Sequence, residues 1–429
     1  MANTTTAVLE SLKYGYGANR VLYLFNEESP TFNILSRVKK PVGGRGQFIM
    51  PIIVQNPGAF TGIGEGGSLP TALDMDTTEA TFSLQEYVAV YNISWKLVQD
   101  SRSDKFAFQQ AVQMLDEGLK RRVMKNLNSD LIGSGLGELA TLTAADDGAG
   151  VCTSAYLPRL EKGMVVDIME SSDNDTKRGD SLTVNAVDPQ ARTFTLSAAL
   201  SGESAGDYAV IQDTTDVTST QNEHSSGLLG IIDSANPSSA ARYGASGYGN
   251  ISRSTAGNEF WKSVELSNSG TNRPLTEDLL LQAMDGAREK GGGKLTHWLS
   301  NLAIVRRYHE MLAGERYFSL SQPGAIGGGI GRKEMKAGDD GKTPYEFSGI
   351  PWHVDPYFTN NVIVGIDSAH LFLGVGENDV PRPISEIFDG VPFFKQTTSA
   401  TFEVNWYYQM ELLSDNPAAH VKIGDVAES

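Results

Sequence analysis

Gly62, Gly64 and Gly67 satisfy the G-x-G-x-x-G spacing that lets a backbone approach a pyrophosphate. Their surroundings argue against that chemistry. No continuous apolar strand leads into the glycines, Pro70 follows before a helix can begin, and Glu65 would set negative charge beside the phosphates. A second cluster, Gly324 to Gly331, is followed by Arg332 and Lys333 instead of ending in the Gly-Lys-Ser/Thr of a phosphate-binding loop, and reads as a mobile loop. His297, His309, His353 and His370 share one part of the chain, but no pair has the four-residue spacing and adjacent glutamate of a zinc hydrolase. No G-x-S-x-G elbow occurs, and Cys152 has no histidine near it in sequence. Carboxylates are plentiful without any being singled out as a glycosidase pair. The pattern predicts no catalysis, no cofactor and no metal.

The one compact cationic cluster is Lys120, Arg121, Arg122 and Lys125. It reads as a solvated helix face or a set of intersubunit salt bridges. Weak, sequence-independent contact with a polyanion is the functional alternative. Net charge is −17, from 52 acidic and 35 basic residues, so the surface as a whole repels nucleic acid and anionic membranes. A lone cysteine excludes an intrachain disulfide and a cysteine-rich zinc site. The first residues lack the charged and then apolar order of a secretory signal, and no window approaches 18 apolar residues, so a soluble protein is expected.

The elements behind these residues divide the 429-residue chain into stretches of different texture. Residues 1–40 read as an N-terminal arm without a core. Residues 41–98 read as an extended two-stranded ribbon: Pro41, Pro51, Pro57 and Pro70 lie on or near the outgoing limb, and Tyr87, Ala89, Tyr91, Ile93, Trp95 and Leu97 alternate on the return. Such a ribbon is marginal alone. It presents Phe48, Ile49, Ile52, Ile53, Phe60 and Ile63 among glycines and prolines that build no core, so it needs another chain to lie on.

Residues 99–143 hold one long helix. Ser103 and Asp104 offer caps, Phe108, Val112, Leu115, Leu119, Val123, Leu127 and Leu131 form its apolar stripe, and Gly133 to Gly137 end it. Residues 144–213 break into short alternating segments of a small barrel or sandwich inserted into the larger domain. Residues 214–385 begin loop-rich and then alternate helix and strand, with a helix start at Thr276, Glu277 and Asp278 and a stop at the glycines 291–293. Residues 386–429 carry the alternating strand TFEVNWYYQMELL.

This order resembles the tailed-phage major capsid proteins of the Hong Kong 97 type. The stretch that carries most of the likeness is YNISWKLVQDSRSDKFAFQQAVQMLDEGLKRRVMKNLNSDLIGSG, a strand running into a long helix with an acidic-Leu-Ile-Gly close. THWLSNLAIVRRYHEML, GIPWHVDPYFTNNVIVGIDSAHLFLG and TFEVNWYYQMELL follow in the family's order. The resemblance implies an α+β fold with N-arm, extended loop, peripheral domain with a spine helix and axial domain, to which the β-rich block is an addition. It also implies a shell protein that forms hexamers, pentamers and then an icosahedral container for double-stranded DNA. Portal, a separate scaffold and decoration proteins are the implied partners, and DNA is touched only weakly and non-specifically. Assembly in the host cytoplasm and residence in the virion follow. No lysine lies between Lys40 and Lys96, so the lysine–asparagine crosslink that some relatives make from this loop is not expected.

On this reading Phe60, Ile63 and Leu69 are buried on a neighbouring subunit and Glu65 meets a basic partner there. An encapsulin-like shell with protein cargo is the near alternative. A β-rich glycan-binding or glycan-processing enzyme is the distant one.

Overall fold

The computed structural model describes residues 30–39, 47–96, 105–144, 150–154, 156–171, 176–212, 224–237, 243–319, 345–376, 381–383, 394–395 and 400–428. Most of the N-terminal arm, the caps Ser103 and Asp104, and the glycine cluster at 324–331 lie outside these residues.

The 14-residue strand Thr401–Ser414 is the longest among the described residues, and its alternation decides what it joins. Val404, Trp406, Tyr408, Met410 and Leu412 are buried. Along one edge it pairs antiparallel with Gln85–Ser94, from Thr401↔Ser94 to Met410↔Gln85. Its C-terminal end pairs on the other edge with Leu371–Val375, which in turn carries the parallel arm strand Ser36–Lys39. The limb that reads in sequence as one returning ribbon strand is therefore two. Asp76–Ser83 stays with the ribbon, while Gln85–Ser94 leaves it at Leu84 and enters this sheet. The switch has a physical reason: paired with Val404 and Phe402, Tyr91 and Ile93 are buried in this sheet.

Helix Lys105–Ile132 packs against strand Gln85–Ser94 of this sheet. Over 28 residues it is about 42 Å long. Leu127, Leu131 and Ile132 from the predicted stripe and its end are fully buried, and the Trp406 indole N–H donates to Asp116 Oδ1 at 3.2 Å.

A second sheet has the order 264–266, 421–423, 363–366, 297–300, 350–354, 345–347. Helices Glu277–Gly291 and Leu302–Ser319 cover one face, burying Leu280, Ala283, Ile304 and Tyr308 against Trp298, Trp352 and Ile363. Leu299, Val364 and Ile366 turn the other way, into the core shared with the first sheet. The first of these helices starts and stops where its sequence says. Thr276 Oγ1 accepts the Leu279 N–H at 3.3 Å, and Gly292 closes the last turn at φ 65°. The flanking glycines do more than stop it: a Cβ at Gly291 would lie 2.3 Å from the Ala418 carbonyl carbon, so only glycine lets this helix end touch the 417–419 turn.

The β-rich block is a third six-stranded sheet, from Glu138–Thr141 to Tyr208–Ile211, with its own core around Cys152, Val166, Val184 and Phe194. It begins at Glu138, six residues before the predicted boundary. A bridge between Leu142 and Ser154 brings the two end strands together, which curls the sheet towards a ring. The buried Arg159 fastens it to the body, donating to Tyr357 O at 3.0 Å and to Glu138 O at 2.8 Å, and the Tyr156 hydroxyl donates to Pro356 O. Among the described residues, no helix is long and apolar enough to cross a membrane.

Candidate intersubunit contact surface

The ribbon consists of Gln47–Gln55 and Asp76–Ser83, antiparallel from Gln47↔Ser83 to Gln55↔Asp76. Only its root belongs to the chain's own core: Phe48, Ala80 and Phe82 are buried there. Beyond Ile52 the ribbon leaves the body, and every residue from 53 to 77 is exposed. Residues 56–75 carry no strand. Two backbone bonds shape them, Gly58 N–H to Leu73 O and Gly67 N–H to Gly64 O, both 2.9 Å.

The exposed set is unusual for one short segment. Phe60 has the full accessibility of an extended chain at 103%, Leu69 is 82% exposed, and Ile63, Leu73, Met75 and Ile53 are each more than half exposed. Contiguous exposed apolar surface of this kind marks a contact site. Burying Phe60, Ile63 or Leu69 on a partner is worth roughly 1.5–3 kcal/mol each before the costs of association. Glu65 stands at the turn of the tip, and the described ribbon from 47 to 83 holds four acidic residues and no lysine or arginine.

The cationic cluster does not stay together. Lys120 and Arg122 are exposed and Arg121 is half-buried, but Lys125 is buried and forms an ion pair with Glu161 of the β-rich block. Its ammonium also lies 5.4 Å from the Tyr357 ring centre. Burial holds the Lys125 pKa below its ordinary value in spite of Glu161. Position along the helix explains the split: residues 127–133 are buried on every side, and Lys125 lies where that buried end begins, whereas 120 and 122 sit a turn earlier, where the helix is partly exposed. Lys125 therefore joins two parts of one chain.

Two surface features were missed in the sequence. Val88 and Val90 face outward from the first sheet at 59% and 45% exposure, opposite the buried Tyr91 and Ile93 side of the same strand. Trp95, 46% exposed, stacks on Phe402 with ring centres 5.4 Å apart. Period-two alternation signalled the strand, but which apolar set faces inward depends on the partner strand.

The histidines and carboxylates are tied into structure. His297 Nδ1 and His353 Nε2 are 3.0 Å apart, and His370 Nδ1 lies 2.9 Å from Asp415. His309 meets the Tyr345 ring edge to face. His420, not singled out in the sequence, is fully buried and sits 3.2 Å from Ser414 Oγ. Its Nδ1 accepts the Asp367 N–H, so the neutral ring carries its proton on Nε2 and donates to the serine. A general base for that hydroxyl needs the opposite tautomer. A cleft of about 260 Å³ between strand Gln85–Ser94 and helix Lys105–Ile132 is lined by Tyr87, Val123, Asp130, His224, Trp406 and Tyr408. His224 Nδ1 pairs with Asp130 at 2.9 Å, and the Tyr87 hydroxyl accepts the Ser225 N–H. Burial, reinforced by Asp130, pushes the Tyr87 pKa well above its usual value, so the phenol stays protonated.

No protein-family model and no curated protein matches the sequence. Solved structures do. A chain of the cyanophage A-1(L) capsid is 12% identical, with 95% of this chain and 96% of that one covered and a TM-score of 0.55. A chain from the capsid of a native GTA particle is 10% identical over the whole of both chains, with a TM-score of 0.44. The SrpI encapsulin of Synechococcus elongatus is 9% identical, covering 97% of this chain and 96% of that one, with a TM-score of 0.45. The first likeness shows that this chain has the mixed α+β fold of a phage capsid chain.

Proposed function

We propose that this protein is the major coat protein of a tailed-phage capsid, which self-assembles through hexamers and pentamers into an icosahedral shell around double-stranded DNA. The observation that carries the reading is the ribbon tip: Phe60, Ile63 and Leu69 are exposed on a segment without a core of its own, in a chain with the fold of a capsid subunit. Each subunit lays this tip across a neighbour, where Glu65 meets a cation. The contact is heterologous, one surface against a different one, so repetition around a closed ring multiplies a modest affinity.

In this reading the helix Lys105–Ile132 is the spine of the peripheral domain, and the β-rich block is an inserted domain fixed to it by Lys125–Glu161. The acidic balance of −17 suits a container whose wall must not hold its cargo. The role is structural, without catalysis or cofactor. Portal, separate scaffold and decoration proteins are its proposed partners, the host cytoplasm its place of assembly and the virion its destination.

Size-exclusion chromatography with negative-stain microscopy tests this directly. The full chain should give rings or shells, and a chain lacking Gly58 to Leu73 should remain folded and stay unassembled. Normal shells from the deletion would remove the ribbon mechanism. Closed shells that form around a protein cargo and never take up DNA would place the chain with the encapsulins instead.

A further inference from the structure

Every residue of the ribbon's outer half, 53–77, is exposed among the described residues, so its direction must be set at the root. There Phe82 inserts into a pocket made by the loop 243–250. Its ring lies 5.0 Å from Tyr248 and 6.0 Å, edge to face, from Tyr243. A Cβ at Gly249 would come within 2.9 Å of Phe82 Cζ. Two hydrogen bonds complete the grip on this strand: Ser83 N–H donates to the Tyr243 hydroxyl at 3.3 Å, and Asn250 Nδ2 donates to Thr81 Oγ1 at 2.5 Å. On the other limb Phe48 lies against Gly374, where a Cβ would stand 3.1 Å from Phe48 Cε2.

The loop that grips is itself unusually constrained. Tyr243 and Asn250 have φ of 66° and 62°, in the left-handed region that non-glycine residues rarely enter, and Gly247 and Gly249 lie there too. Its centre is tied down from three sides. The Tyr248 hydroxyl donates to Leu412 O and accepts the Ser414 N–H, and the Trp261 indole N–H donates to Tyr248 O. The fully buried Arg253 guanidinium donates to the carbonyls of Gly230, Ile231, Ala235 and Trp261.

We infer that the 243–250 loop is the fulcrum that aims the ribbon, fixing its angle to the body before a neighbouring subunit is met. Strain in a backbone persists only where the surroundings over-determine it, and here they do so around one inserted phenyl ring. The leverage is large. Six residues separate Phe82 from the end of the paired strands, about 20 Å, so a 10° swing at the root moves that end by about 3–4 Å. That displacement exceeds what side-chain repacking at a contact absorbs. The fulcrum's value for assembly rests on the ribbon being the intersubunit contact, but its existence does not.

The test separates the two. Nitroxides at Ser68→Cys on the tip and Glu289→Cys on a body helix report the ribbon angle as a distance distribution, in a chain diluted into unlabelled protein so that only intrachain pairs count. Both positions are exposed, and the native Cys152 is fully buried. The wild-type distribution should be narrow. Tyr243→Phe removes one hydrogen bond, Asn250→Gly removes the other while accepting the same φ, and the double variant should at least double the width with an unchanged melting temperature. Gly249→Ala should shift the mean distance. Unchanged distributions in the folded double variant overturn the fulcrum. A doubled width accompanied by shells of normal size and yield supports the fulcrum and overturns its role in assembly. If the wild-type chain forms no shells at all, the assembly reading fails, while the distance distributions still decide the fulcrum.

Discussion

Asn128 on the long helix donates through Nδ2 to Asp355 Oδ2 at 2.8 Å, and both residues are fully buried. The same carboxylate oxygen accepts the Thr31 hydroxyl at 2.7 Å, while Asp355 Oδ1 accepts the Tyr357 N–H. Asn128 Oδ1 in turn accepts the Phe32 N–H. One carboxylate therefore joins the arm, the long helix and the turn after strand Ile350–Val354. Burial pushes its pKa up, opposed by the donors and by Arg159. Asp355→Ala leaves three buried donors without an acceptor and is expected to cost about 3 kcal/mol or more. Thr31→Val should cost about 1 kcal/mol and loosen only the arm. Urea unfolding gives the first, and hydrogen exchange at residues 31–39 the second.

Acid sensitivity follows from three imidazoles. Burial lowers the pKa of His353 and of fully buried His420 to about 4, and lowers that of His297. In the unfolded chain each takes up a proton near pH 6.5. Between these values the unfolded state binds more protons than the folded state, so stability is complete above about pH 6.5 and falls as the pH drops towards 4. His420 alone contributes about 3 kcal/mol to this fall. His353 is partly exposed and contributes less. Denaturant midpoints at pH 7.5, 5.5 and 4.5 should decline in that order, and His353→Gln should flatten the decline.

Glycines of two kinds should respond oppositely to one added methyl group. At Gly62 on the ribbon tip nothing lies within 4 Å, whereas a Cβ at Gly227 would stand 2.1 Å from Gly133 O and one at Gly291 2.3 Å from the Ala418 carbonyl carbon. Gly62→Ala should leave thermal stability within about 0.5 kcal/mol. Gly227→Ala and Gly291→Ala should each lose about 2 kcal/mol or more, because backbone must move. Differential scanning calorimetry on the three variants distinguishes slack from close approach.

Legibility in the sequence tracked how local the cause was. Thr276, the glycines at 291–293 and the alternation of Phe402 to Leu412 act within a few residues of themselves, and the elements they predict are present. The exposure of Phe60, Ile63 and Leu69 was equally readable, because apolar side chains among glycines and prolines have nowhere local to go. What the sequence hid was long-range. The ribbon ends at Leu84 because Gln85–Ser94 pairs with residues more than 300 positions later. Lys125 leaves its basic neighbours because Glu161 meets it from the β-rich block. Phe82 finds a pocket built from loop residues that periodicity leaves blank.

The divided cationic cluster gives the last prediction. Lys125 and Glu161 have side chains only 8% and 15% exposed, so Lys125→Met strands a largely buried carboxylate and should cost about 2–4 kcal/mol. Lys120→Ala with Arg122→Ala removes two exposed charges and should change stability by less than about 0.5 kcal/mol. If these two cations receive the acidic ribbon of a neighbour, the same double variant assembles less well in 50 mM salt, and its deficit shrinks at 500 mM, where screening has already weakened the wild-type contact. Light scattering during assembly at the two salt concentrations measures this. Equal assembly of wild type and double variant at low salt assigns the ribbon's partner to another surface, and the outward pair Val88 and Val90 is then the next place to substitute.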